Sequence, residues 1–281
     1  MFIYQWVYSF KNKMYNIIYT SMGNYISYFS SSPKKYGWKH DHHDCRDLVH
    51  NFEIKFENSV DLSPEGPKEI YNQGHLGSCT SNAIAFAYEF DEYKQNEPIK
   101  FTPSRLFIYY NEREIEGTIN EDSGASIRDG IKSINKIGVC PEDKWPYDIS
   151  KFTEKPKYEC YEIAKNHRSI QYKRVQQKID QLKSALSNGF TIVFGFIVYE
   201  SFESEETAKT GIVIMPTEKE QVKGGHAVCI VGYDDSKQTF KVRNSWGEKW
   251  GDDGYCYFPF EYITNPNLAS DFWTVNKIKD D

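Results

Sequence analysis

The chain has 281 residues, 26% of them charged and 16% aromatic, a globular composition with enough apolar surface for one or two domains. Its 34 basic and 40 acidic side chains leave a formal net charge of −6. That excludes the basic excess that draws in DNA or RNA, so no nucleic-acid partner is expected.

Residues 1–57 differ in composition from the rest of the chain. M-F-I-Y-Q-W-V-Y-S-F and Y-N-I-I-Y are aromatic and apolar, but Lys11 and Lys13 interrupt them. The uninterrupted run falls far short of the roughly 20 residues that cross a bilayer. The charges follow the apolar stretch, whereas those of a secretory signal precede it. Membrane association is not expected. Residues 38–50 hold four of the seven histidines: His40, His42, His43 and His50. Their spacing matches no ligand motif, so they read as a solvated polar stretch, with no metal and no other cofactor. The six cysteines, Cys45, Cys79, Cys140, Cys160, Cys229 and Cys256, include no C-x-x-C pair, and no structural zinc site is implied. Cys140, Cys229 and Cys256 read as buried apolar filler.

Beyond Pro64 and Pro67 the pattern becomes regular. Residues 79–94 predict a helix, with Ala83, Phe86, Ala87 and Phe90 at three- and four-residue spacing. Residues 125–137 predict a second through Ile127, Ile131 and Ile134, stopped at Gly138. Residues 176–188 predict a third through Ile179, Leu182 and Leu186. Past Gly189 the pattern turns to strand at 191–199, 226–233, 239–246 and 255–260. The second of these runs is almost continuously apolar, as in a strand buried on both faces. Helices first and strands second argue for α+β with two lobes, not for alternating βαβ units.

Three stretches carry chemistry. In Q-G-H-L-G-S-C-T, Gln73 to Thr80, Cys79 stands at a helix start. Backbone N–H groups and the helix dipole there favour a thiolate and lower a thiol pKa. The Gln73 amide can donate to a developing oxyanion beside the Cys79 backbone N–H. In G-G-H-A-V, His226 opens a buried strand after Gly224 and Gly225, a rigid place for a base or imidazolium partner. In N-S-W-G-E-K-W-G-D-D-G-Y, Asn244 can orient the imidazole, and Trp246 can shield their bond from water.

Together these stretches resemble the papain and cathepsin family of cysteine peptidases. The order Cys, His, Asn matches. His226 follows Cys79 by 226 − 79 = 147 residues and Asn244 by 244 − 79 = 165, against about 130–150 in that family. The resemblance covers roughly residues 58–275. It implies a papain-like two-lobed fold, with a helical lobe over about 68–170 and a β-barrel-like lobe over about 171–275. The active site lies in the cleft between them, within a peptidase domain of residues 58–281. It implies peptide-bond hydrolysis through a thioester, with Cys79 as nucleophile, His226 as acid and base, Asn244 as orienting residue and Gln73 as oxyanion donor. The substrate is a peptide or protein.

Two departures stand out. Leu76 occupies a position where many family members carry a disulfide cysteine, and Thr80 replaces the usual aromatic after the nucleophile. Glu121 to Ser126, E-D-S-G-A-S, lies where the family pairs glycine-rich backbone with substrate. Gly124, with Ser123, is the candidate contact, joined by Gly225 and Trp246 across the cleft. The same stretch can simply cap the next helix through Asp122 or Ser123. No His-His insertion of the cathepsin B dipeptidase kind follows Cys79, which favours an endopeptidase. Residues 1–57 then read as a pro-segment, an autoinhibitor from the chain's own N-terminal side. The alternatives are a papain-fold scaffold with a permanently blocked site and an acyl transferase using the same thioester. In that family the pocket that sets side-chain preference is built from scattered residues, and the sequence assigns none of them.

Overall fold

In a computed structural model, which describes residues 36–54, 56–95, 100–168 and 170–277, the motif cysteine begins a helix over Cys79–Lys94 (α1). Its neighbours are α2 (Arg105–Glu116), α3 (Ile127–Lys136) and α4 (Tyr158–Ala164). α1 is buried along nearly its whole length, because α2, α3 and three strands of the sheet pack against it. A helix walled in this way has no solvent face to be polar. Its buried polar groups are paired instead. Thr80 Oγ1 donates to Glu112 Oε1 at 2.6 Å, and the Tyr71 hydroxyl donates to Glu89. The cap of α3 is Ser126, whose side chain accepts from Asp129 N. This corrects the expectation of Asp122 or Ser123 as cap. Those two side chains bond elsewhere, and Ser126 has the extended backbone that an N-cap needs.

Three short helices, α5 (Ile179–Ser187), α6 (Glu205–Thr210) and α7 (Phe260–Thr264), accompany the strands. The strands are β1 (Trp38–Lys39), β2 (Ser59–Asp61), β3 (Ala125–Ser126), β4 (Ile170–Arg174), β5 (Ile192–Tyr199), β6 (Val222–Asp234), β7 (Thr239–Arg243), β8 (Tyr255–Pro259) and β9 (Ala269–Lys277). The large sheet runs β4-β9-β5-β6-β7-β8, antiparallel throughout, with β2 on the far end of β6. It is open, with β4 and β8 at its two ends. β6 has 13 residues and starts at Val222. His226 is therefore inside the strand, opposite Phe196, and not at its beginning as expected. β7 ends at Arg243, which leaves Asn244 as the first residue past the strand.

Two apolar cores hold these layers. One lies between α1 and the sheet and includes Phe194, Phe196, Phe202 and Phe258. The other, among the helices, includes Leu76, Phe107, Tyr109 and Trp145. Cys140 is buried in the second, and Cys229 and Cys256 in the first. All six cysteines are free thiols.

Of the N-terminal segment 1–57, residues 1–35 and Lys55 lie outside the described residues. The remainder belongs to the same compact unit as the two layers, residues 34–281. Tyr36 to Phe52 forms a strap. β1 pairs in parallel with β3, and Ala125 N donates to Gly37 O at 2.7 Å. Farther on, His50 N donates to Arg174 O and Arg174 N to Leu48 O, both at 2.8 Å. His50 stacks on Phe52, and Phe52 N donates to Gln181 Oε1 at 3.1 Å. Among the described residues no helix is long and apolar enough to cross a membrane. No group of three or more His, Cys, Asp or Glu side chains among them is placed to hold a metal ion.

Candidate active site

Cys79 is fully buried where the first turn of α1 meets β6. Ser78 precedes it as N-cap without a side-chain cap bond. Hydrogen-bonding backbone groups of Ala227, Gly37 and Thr80 surround the thiol. Ala227 is the residue after His226 on β6, so helix and strand bring the two motifs together. The expectation of a lowered thiol pKa fails in this covered state. Burial pushes it up to about 11, outweighing those backbone groups, and the Glu112 charge adds to the rise.

His226 is fully buried in β6. Its Nε2 lies 2.8 Å from Asn244 Oδ1. A carbonyl oxygen only accepts, so Nε2 carries the hydrogen in this bond. Asn244 is held by its own backbone, whose N donates to Gly254 O at 3.0 Å, and Oδ1 also accepts from Ser245 N at 2.8 Å. Trp246 stacks on the imidazole, ring centroids 4.9 Å apart and planes at 25°. Phe196 meets the imidazole edge-on at 5.7 Å. These rings keep water from the His226–Asn244 bond.

Gln73 reaches the same place from the loop before α1. Its N donates to Ser245 O at 2.9 Å, its Oε1 accepts from Ser245 Oγ at 2.7 Å, and its Nε2 donates to Leu76 O at 2.9 Å. Ser245 therefore clamps the Gln73 loop to the Asn244 loop, a role that its place in the motif did not reveal. A second such clamp joins the Gly77 and Gly124 loops. The Tyr109 hydroxyl donates to Asp122 Oδ1 at 2.5 Å and accepts from Gly124 N at 3.1 Å, and Gly77 N donates to Asp122 Oδ1 at 3.0 Å.

The strap fills the groove between these loops and β6. A Cβ on Gly124 would stand 1.9 Å from Gly37 O, and Gly124 has φ of 68°, so both space and backbone require glycine there. Tyr36 sets its ring edge-on to His226 at 6.1 Å, and its hydroxyl donates to Glu203. Trp38 lies over Gly225 and Gly195. Cys79, His226, Asn244, Gln73, Trp246, Gly124 and Gly225 thus converge. The Ser123 side chain does not join them. Its hydroxyl donates to Thr118 Oγ1 at 2.8 Å and to Gly124 O at 3.0 Å. The Y-G-W at 36–38, two large aromatics around a glycine, is the sequence signal for this covering segment.

The profile of a family described as "Papain family cysteine protease" matches residues 57–271. An uncharacterised peptidase C1-like protein of Acanthamoeba polyphaga mimivirus is 54% identical over 225 residues, covering 77% of this chain and 72% of that protein. The crystal structure of xylellain, a cysteine protease from Xylella fastidiosa, superposes with a TM-score of 0.83 at 44% identity, covering 88% of this chain and 97% of that one. The structure of a procathepsin B from Trypanosoma congolense shares the fold at a TM-score of 0.66 and 16% identity, covering 88% and 87%.

Proposed function

Because the chain belongs to the papain family of cysteine proteases, we propose that Cys79 is its nucleophile, His226 its acid and base, Asn244 the residue orienting the imidazole and Gln73 the oxyanion donor. The His226 Nε2–Asn244 Oδ1 bond beside the Cys79 helix start is the observation that supports this assignment. It commits Nε2, so Nδ1 is the nitrogen that exchanges a proton with the thiol. The thiolate attacks the scissile carbonyl carbon, and the carbonyl oxygen becomes an oxyanion facing the Cys79 N–H and the Gln73 amide. The imidazolium gives its proton to the leaving amine as the C–N bond breaks. Water then attacks the thioester, His226 takes the proton, and the acid leaves with the thiol restored.

The activity is that of an endopeptidase made as a zymogen. Two features support this. The strap main chain passes Cys79 with Tyr36 on one side and β1 on the other, so the groove accommodates a chain that continues in both directions. The strap also covers the thiol, as an autoinhibitor must. The burial of Cys79 equally favours the second reading, a scaffold whose site stays blocked.

Labelling by a peptidyl epoxide separates the two. The adduct should form at Cys79 slowly in the full chain and readily once Trp38→Ala loosens the strap. Iodoacetamide should titrate the covered thiol with an apparent pKa of about 11 and the loosened one lower, since the rise comes from burial. No adduct in either chain sinks the active-peptidase reading. Asn244→Ala in the loosened chain should lower kcat by about 10²-fold or more, the low end of what a positioned acid–base group contributes. Its KM should change little, because Asn244 acts through His226 and not on substrate.

A further inference from the structure

We propose that Tyr147 is a positioning residue of the oxyanion site. Its hydroxyl ties Gln73, which carries one donor, to Ser78, the residue before the other, and so sets the spacing of the two. The inference rests on the peptidase reading above and deepens it. Tyr147 acts through Gln73 and Ser78, not on substrate.

Gln73 and Cys79 stand 79 − 73 = 6 positions apart, with Gly74 and Gly77 between them. Two glycines leave such a loop pliant, so its ends need an outside brace. The Tyr147 hydroxyl spans them, 3.0 Å from Gln73 O and 2.5 Å from Ser78 Oγ. A carbonyl only accepts and a phenol has one hydrogen. Tyr147 therefore donates to Gln73 and accepts from Ser78. Asn82 Nδ2 in turn donates to Ser78 Oγ at 3.1 Å and to Ser78 O at 2.8 Å. One directed chain of hydrogen bonds thus runs from α1 through Ser78 and Tyr147 to Gln73. Bonds in such a chain polarise and strengthen one another. Ser78 breaks a local rule to join it. Serine is among the best N-caps, yet this hydroxyl makes no cap bond to α1. A local preference overridden in this way marks a functional demand.

Tyr147 is itself held from outside the loop. Its segment is fixed to the start of α2, where Ser104 N donates to Cys140 O at 2.8 Å and Ser104 Oγ to Trp145 O at 2.6 Å. The Arg105 guanidinium lies over the Tyr147 ring at 4.3 Å and over the Tyr71 ring at 4.5 Å, a favourable place for a cation. Arg105 Nε donates to Glu142 Oε2 at 2.8 Å, which keeps the guanidinium there. Gln73 is thus gripped from two sides, by Ser245 from the Asn244 loop and by Tyr147 from the helical side. Without the phenol, Ser245 still holds Gln73, but nothing sets the distance from Gln73 to Cys79. Donors out of register stabilise the developing charge less and leave ground-state binding unchanged.

The test compares full-length Trp38→Ala chains with and without Tyr147→Phe, which keeps the ring over Arg105 and deletes the hydroxyl. A peptidyl aldehyde reports the oxyanion site. The Cys79 sulfur bonds to the aldehyde carbon, the thiol proton passes to His226, and the former carbonyl oxygen takes the electron pair and faces the two donors. Iodoacetamide reports the thiol alone. Tyr147→Phe should weaken aldehyde binding and lower kcat each about tenfold, less than the 10²–10³-fold that follows loss of a whole donor. KM and the iodoacetamide rate should stay within about twofold. Ser78→Ala cuts the same chain one bond earlier and should give the same split, which decides the matter if Tyr147→Phe does not fold. In a chain already carrying Gln73→Ala, Tyr147→Phe should weaken aldehyde binding no further, the non-additivity of residues that act through one another. Unchanged aldehyde affinity in these variants overturns the role. So does an iodoacetamide rate that falls in step with kcat, which would mark a general structural effect. A Trp38→Ala chain that takes neither aldehyde nor epoxide at Cys79 removes the peptidase reading itself, and this role with it.

Discussion

Replacing Cys79 by Ala should lower kcat of the strap-loosened chain by roughly 10⁴-fold or more, because no other group can form the acyl-enzyme. His226 and Gln73 cannot compensate. His226 is held by Asn244 as a proton carrier, and the Gln73 amide is a donor whose nitrogen pair is delocalised, so neither takes over the attack. The fold should survive. The Cys79 thiol is fully buried and behaves there as a small hydrophobe, so a methyl group in its place costs about 1 kcal/mol or less. A melting temperature lowered by no more than about 4 °C, with lost hydrolysis and lost epoxide labelling, is the expected result. Hydrolysis persisting within tenfold of the unaltered chain would overturn the assignment of the nucleophile.

Asp47→Ala should open the strap. Asp47 accepts from Arg128 Nε at 3.1 Å and Arg174 Nε at 2.7 Å, and also pairs with Arg128 Nη2. Arg128 is 6% exposed, Asp47 10% and Arg174 23%. Removing the carboxylate leaves the nearly buried Arg128 guanidinium without its ion-pair partner, with the His42 carbonyl on Nη1, in the closed state only, since opening returns it to water. Breaking such a pair costs about 3 kcal/mol, or roughly 10²-fold in the closed-to-open ratio. Epoxide labelling of Cys79 in the full chain should accelerate by about that factor. Labelling at the unaltered rate would show that the carboxylate does not hold the strap.

The same latch has a pH dependence with an unusual sign. Asp41 accepts from Arg128 N at 3.0 Å, Arg174 Nη2 at 3.0 Å and Trp273 Nε1 at 2.8 Å. Burial, then the charge of Asp271, still raises its pKa to about 6. His40 Nδ1 faces Asp271 at 4.0 Å, and Arg174 Nη1 at 3.5 Å. The closed strap thus binds the Asp41 proton more tightly than the open one, whose carboxyl returns to an ordinary value near 3.8. Its contribution to closure is complete below that ordinary value and is lost as pH rises through about 6. Labelling should be slower at pH 4 than at pH 7, and Asp41→Asn should flatten the difference.

Much of this molecule was legible in the residues. Cys79–Lys94 forms as predicted because three- and four-residue apolar spacing and a helix-start motif agree. The α+β class followed from the order of periodicities. α2 and β9 carry weaker local signals. α2 opens on the continuous apolar and aromatic run 106–110 and ends on charged residues, which hides the helical period, and β9, between β4 and β5 in the sheet, interrupts its apolar residues with Ser270, Asp271 and Thr274.

The sequence by itself determined the family, the order of the helical and strand halves, and which residue types carry the chemistry. Local spacing and backbone preference are sufficient for these. Only the tertiary structure decided the state of Cys79. Its helix start argues for a lowered pKa, but that is a near-neighbour effect. Burial beneath Gly37, a residue 79 − 37 = 42 positions away, overrides it. The same holds for the bed on which the strap lies. Gly195, Gly225, Ala125 and Trp38 come from four distant stretches, and only strand pairing and backbone approach bring them within contact of one another.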